Sequence, residues 1–188
     1  MKRNLVVFFI LCCSVVCNAQ KDTIKAASLL FEKPNSKWFL KEIKDTCGWT
    51  IYSYKREPII DSEGRSIIPN IAFIVESIPD TVTIDVMQYS IHRRGQFPAK
   101  TIGMFSGEGG NSDPKYEKQN AAGMPKMQYK NAMGFKAIYK DMAGEHSIYL
   151  VFLLNKHKGV TVIMDMTSEL FEKYGKEFND GLLSITEM

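Results

Sequence analysis

Thiol chemistry has few residues to work with in this sequence. Three of the four cysteines, Cys12, Cys13 and Cys17, fall in the N-terminal segment, which leaves Cys47. Thiol catalysis pairs a low-pKa cysteine with a base in hydrogen-bond reach. The candidate bases are His92, His146 and His157. Cys47-Gly48-Trp49 lacks the local context of the known thiol protease signatures, and Cys47 reads as a small, partly buried residue at a strand start. The histidines lack zinc-ligand spacing such as His-x3-His, so no metal site is expected. His146, after a turn, and His157, between Lys156 and Lys158, read as solvated surface groups. Gly107-Glu-Gly-Gly110 is followed by Asn111-Ser112-Asp113-Pro114 and lacks the Gly-Lys-Ser/Thr that a phosphate loop needs. It reads as a flexible loop. No Gly-x-Ser-x-Gly elbow occurs. Asp141 and Glu145 flank a turn, where acidic residues are common, and carry little weight as a carboxylate pair. No catalytic set emerges, and no cofactor is implied.

The remaining candidates are binding residues. His92-Arg93-Arg94 is the sharpest cationic cluster. Arginine forks can hold carboxylates or phosphates, but cations also gather at helix C-termini for the dipole alone. Met104, Met124 and Met127 lie in and after a glycine-containing stretch. Methionines there either fill core gaps or form an adaptable contact surface.

Several elements would position these groups. Asp22 to Phe31 suggests a short helix, capped by Asp22 or Thr23 and stopped by Pro34. Trp38–Ile43 and Trp49–Tyr54 are rich in strand formers, with Gly48 between them. Pro58–Arg65 reads as a polar connection with a turn at Ser62-Glu63-Gly64. Ile71, Phe73 and Val75 alternate as a strand. Ile84, Met87 and Ile91 recur with helical spacing, predicting a helix from about Thr83 to Arg94 that stops at Gly95. Pro98 to Pro125 is irregular, with a short strand around Thr101 to Phe105, and stretches of that length are usually functional or mobile.

The C-terminal third is the most regular. Phe135–Lys140 alternates, and Met142-Ala143-Gly144 turns the chain. Ile148–Leu154 is apolar on both faces, as for a central strand covered on both sides. Asn155–Gly159 is a hairpin loop, and Val160–Met166 alternates again. A last helix, capped by Thr167 or Ser168, lines up Phe171, Tyr174, Phe178, Leu182 and Ile185. Consecutive strands joined by short turns pair antiparallel, so the class is α+β.

The order of these elements resembles the PsbP-like superfamily. That group includes an extrinsic photosystem subunit, a Ran-binding nuclear import factor and many bacterial proteins of unknown role. The resemblance rests on Gly48-Trp49-Thr50-Ile51, on the strand in Pro69–Val75, on the helix through Tyr89, and on the run from Gly134-Phe135 to Leu183-Ser184-Ile185. It implies an antiparallel sheet between helices, an α/β/α sandwich, and a non-enzymatic binding or assembly role. The photosystem member's metal-handling role finds no matching residues here.

Composition bounds the rest. The chain has 188 residues, 45% of them hydrophobic and 24% charged, as in ordinary globular proteins. Met1, Lys2 and Arg3 precede an apolar run from Leu5 to about Val16, and Cys17-Asn18-Ala19 offers a cleavage site before Gln20. These are the three parts of an export signal, predicting a signal peptide over 1–19 and one α+β domain over 20–188. Export points to the periplasm or the exterior. A rival cleavage before Cys17 would make a lipoprotein, but Val16 is bulky where a small residue is wanted. Losing Lys2 and Arg3 reduces the 24 basic residues to 22 against 21 acidic ones. That balance gives no support to nucleic-acid binding, and no later segment is long and apolar enough to span a bilayer. The expected function is a non-catalytic binding or assembly module of the bacterial cell envelope. The alternatives are a small-ligand carrier with a pocket between the sheet and the His92 helix, and a thiol hydrolase using Cys47. The expected partner is an envelope protein or a small ligand.

Overall fold

A computed structural model describes residues 21–96, 115–116, 125–141 and 144–188. Period-2 apolar patterning governs most of it. β3 (Trp38–Thr46), β4 (Trp49–Arg56), β7 (Asn70–Ser77), β9 (Ala132–Asp141), β10 (Gly144–Asn155) and β11 (Lys158–Thr167) form a seven-stranded sheet with the two-residue β8 (Lys115–Tyr116). The strand order is β3-β4-β7-β11-β10-β9-β8, and every neighbouring pair is antiparallel. The expected polar connection over Pro58–Arg65 instead carries β5 (Ile59–Ile60), which pairs with β6 (Ser66–Ile67) just beyond it in a small hairpin. Asp61 closes its turn by accepting from the backbone N–H of Glu63 and Arg65 at 3.0 and 2.7 Å.

Alternate side chains on each central strand enter different cores. Ile51, Ala72, Ile74, Phe135, Leu150 and Ile163 build one cluster, which takes in Tyr89. Tyr52, Phe73, Val75, Val151, Val162 and Met164 build the other, which takes in Leu170, Phe178 and Leu182. β10 is buried from His146 to Asn155. That burial on both sides is why it reads as one unbroken apolar run.

The first helix, α1, covers Val86–Arg94 and starts later than the pattern predicts. Asp85 caps it, with Gln88 completing a capping box, so Thr83 is not the cap. Its buried residues are Tyr89 and Ser90, whereas Met87 and Ile91 of the predicted apolar stripe are exposed. The last helix, α2, covers Ser168–Leu183. Phe178 and Leu182 are buried as expected, Ile185 is buried just beyond the helix, and Phe171 and Tyr174 are half-buried. Thr167 caps it without a side-chain hydrogen bond.

The expected helix over 22–31 is not formed. That segment is β1 (Lys21–Ile24), one 3-10 turn (Lys25–Ala27) and β2 (Leu29–Glu32). Ser28, at φ 53°, reverses the chain. β2 pairs with β1 and with β12 (Thr186–Glu187) from the C-terminus. Leu29 and Phe31 are both fully buried, a period of two that pairing with distant residues selects over local helix signals.

Candidate functional site

The cleft beside α1 begins where β7 ends. Glu76 and Ser77 stand at the last positions of that strand, and residues 78–85 lead into the helix. One turn from the cap, Tyr89 points inward and donates from its hydroxyl to Glu76 Oε1 at 2.8 Å. Arg93, one turn further along the same face, forms an ion pair with Glu76 and also donates to Gln96. Its guanidinium lies 6.0 Å from the Tyr89 ring centroid. Burial pushes the Tyr89 phenol above its ordinary range, so it stays a donor.

The Tyr89 ring reaches this place because Gly159 has no side chain. A Cβ there would stand 2.6 Å from the ring. These groups edge a cavity of about 340 Å³ whose apolar wall includes Ile78, Val82 and Ile84. His92 lines it beside Arg93, and its own side chain is exposed. The arrangement can hold an apolar group against a polar rim. The Arg93 fork is already engaged by Glu76, so it is not a free anion clamp.

The other predicted binding residues fall elsewhere. Arg94 lies 4.6 Å from the Phe135 ring centroid on β9. Met127, half-buried, lines a separate hollow of about 850 Å³ formed by residues 125–134. Met104 and Met124 lie outside the described residues, as do the expected strand around 101–105, the 107–110 glycine loop and the signal segment.

Comparison with known proteins adds the fold. No protein-family model matches the chain, and no curated protein matches it. Among solved structures, cyanobacterial PsbP from Synechocystis sp. PCC 6803 is 13% identical, with a TM-score of 0.53, over 94% of this chain and 97% of that one. The fold is PsbP-like. The Ran-binding protein Mog1p of Saccharomyces cerevisiae is 7% identical, with a TM-score of 0.47, over 90% of this chain and 95% of that one.

Within this PsbP-like frame the reading of His146 is corrected. It is 2% exposed, not solvated. Its Nδ1 lies 2.9 Å from Asp165 Oδ1, Tyr139 donates to Asp165 Oδ2 at 2.7 Å, and the Tyr139 and His146 rings stack at 4.8 Å. The three residues come from β9, β10 and β11, and they tie the end of the sheet together. Residue spacing along the chain could not reveal this cluster, because strand pairing makes it. His157 is exposed as expected and lies 3.0 Å from Asp80.

Cys47 is also corrected. It is exposed, at φ 49°, in the two-residue turn between β3 and β4, and not packed at a strand start. Four steps of the strand order separate β3 from β10, or about 19 Å laterally. Cys47 and His146 therefore do not form a catalytic pair. Among the described residues no group of three or more His, Cys, Asp or Glu side chains could hold a metal. No helix there is long and apolar enough to cross a membrane.

Proposed function

We propose that this protein is an exported, non-catalytic binding or assembly module of the cell envelope. In this reading its layers form an α/β/α sandwich, and a protein partner docks on the outer face of α1 and the adjoining cleft. One observation carries it. Met87 and Ile91, one helical turn apart, are 55% and 60% exposed, and Val82, in the segment leading into the helix, is 47% exposed. Val86 and Tyr89 of the same helix already pack into the domain core, so α1 carries apolar side chains both inward and outward. A helix apolar on both faces is suited to being covered on both. The residues around 1–19, with their basic start and apolar core, support export.

The test is a photo-crosslinking side chain at position 91, introduced in the source cell. One discrete protein adduct is expected, and Met87→Glu should abolish it. A chain that gives no adduct, while its native mass shows a small molecule retained by Met87→Glu, would transfer the assignment to ligand carriage.

That second reading has its own support. Arg93 Nε is buried without a hydrogen-bond partner among the described residues. It borders an apolar cavity in the size range of small-ligand sites. A ligand with an apolar body and one acceptor would satisfy both features.

A further inference from the structure

β3 lies at the edge of the seven-stranded sheet, and no described strand pairs with its outer side. Edge strands of this length are normally blunted or covered, because their free N–H and C=O groups template pairing. Here the strand is exposed from Phe39 to Asp45 and carries large apolar groups, with Phe39 45%, Leu40 40% and Ile43 55% exposed. Its charges alternate in sign through Lys41-Glu42-Ile43-Lys44-Asp45.

Glu42 and Lys44 are exposed, and neither joins an ion pair among the described residues. A bulge between Leu40 and Glu42 bends the strand, while Glu42 to Thr46 pair regularly with Ser53 to Trp49. The regular part therefore keeps a straight outer edge of its own.

We infer that β3 pairs antiparallel with β3 of a second copy of this chain, with Ile43 opposite Ile43 at the two-fold axis. This register sets Glu42 opposite Lys44 twice, once on each side of the axis. It also brings Lys41 towards Asp45. Neighbouring registers do not work. Centring on Glu42 or Lys44 places that residue opposite itself, like charge on like. A slip by one residue faces Lys41 with Lys44, or Glu42 with Asp45. Opposite charges across a strand pair attract and like charges repel, so the sequence selects one register. A two-fold contact of this kind uses one patch on both copies and closes on itself, as dimers do. The bulge confines the ladder to a short stretch, so the dimer forms at high protein concentration and not at trace levels.

A charge-swap cycle followed by sedimentation over a concentration series tests this. The unaltered protein shifts from monomer towards dimer as concentration rises. Glu42→Lys or Lys44→Glu alone creates two like-charge pairs and weakens the dimer roughly tenfold or more. The Glu42→Lys/Lys44→Glu double variant restores it to near the original strength. Either a protein that stays monomeric throughout, or a dimer that the single changes leave untouched or the double change fails to restore, overturns the inference. A second measurement is independent of charge. Ile43→Cys combined with Cys47→Ser should crosslink to a dimer on mild oxidation. The native Cys47 should not, because this register separates the two Cys47 residues by about 27 Å. Crosslinking through Cys47 but not through position 43 would also overturn it.

Discussion

Arg56 and Glu177, 121 residues apart in the chain, meet through two hydrogen bonds of 2.9 and 3.1 Å. Trp38 donates to the same carboxylate from its indole N–H at 2.6 Å, and the Arg56 guanidinium lies 5.0 Å from the Tyr174 ring centroid. The Arg56 side chain is only 5% exposed. A planar fork on a carboxylate fixes direction as well as distance, so this contact sets how α2 lies on β3 and β4.

Glu177→Gln should therefore be costly, since it leaves a buried guanidinium without its counter-charge. The expected loss is about 2–4 kcal/mol, read as a lower urea midpoint at neutral pH. Acid should act in the same direction on the unaltered protein. Burial pushes the Glu177 carboxyl up, but the hydrogen bonds from Arg56 and Trp38 outweigh it and hold the group below its ordinary 4.5. A carboxyl that is more acidic in the folded state adds stability above its unfolded value and loses it as pH falls through the folded one. The urea midpoint should decline from about pH 5 downward, and less steeply in Glu177→Gln.

Gly159→Ala should disturb α1 from the sheet face directly beneath it. The new methyl would meet the buried Tyr89 ring at 2.6 Å, and shifting the ring would disturb its hydroxyl's 2.8 Å hydrogen bond to Glu76. A cost of about 1–3 kcal/mol is expected. Combining it with Tyr89→Leu should cost less than the sum of the two single changes, because both act on one contact. Thermal unfolding of the four proteins checks this.

Asp165→Ala should destabilise the sheet end by about 2–4 kcal/mol, since it removes the acceptor shared by Tyr139 and His146 in a buried place. Asp165→Asn retains one carbonyl oxygen and should cost less. If both variants unfold at the same urea concentration as the parent, the cluster does not hold the strands.

Cys47→Asn should raise the melting temperature by a few degrees. Cys47 and Gly48 have φ of 49° and 81° in a two-residue hairpin turn. A turn with both central residues at positive φ prefers Asn-Gly. Gly48→Ala should lower the melting temperature, because its Cβ is strained at that φ whatever the surrounding space.

The central strands were legible because their periodicity and their burial have the same cause. Ile71, Phe73 and Val75 enter one core while Ala72 and Ile74 enter the other, and Ile148–Leu154 is continuous because both faces of β10 are dry. The α1 region was half legible. Helical spacing was visible in Ile84, Met87 and Ile91, but the side that packs is Tyr89 and Ser90. Gly159 accommodates the Tyr89 ring and Glu76 receives its hydroxyl. Neither residue is near Tyr89 in the chain, so no local pattern could choose the face.

Alternating apolar residues and turn residues thus determined, from the sequence alone, that the chain folds as an antiparallel sheet with a C-terminal helix. Both depend on interactions within a few positions. Tertiary structure alone decided that residues 22–31 become strands, that His146 is buried on Asp165, and that Glu76 pairs with Arg93 beside the cleft. Each of those outcomes depends on which strands become neighbours, and the β7–β11 pairing that joins the halves of the sheet brings together residues more than 80 positions apart. Contacts of that range are stabilised only after the chain has closed the loop between them, and local sequence carries no record of them.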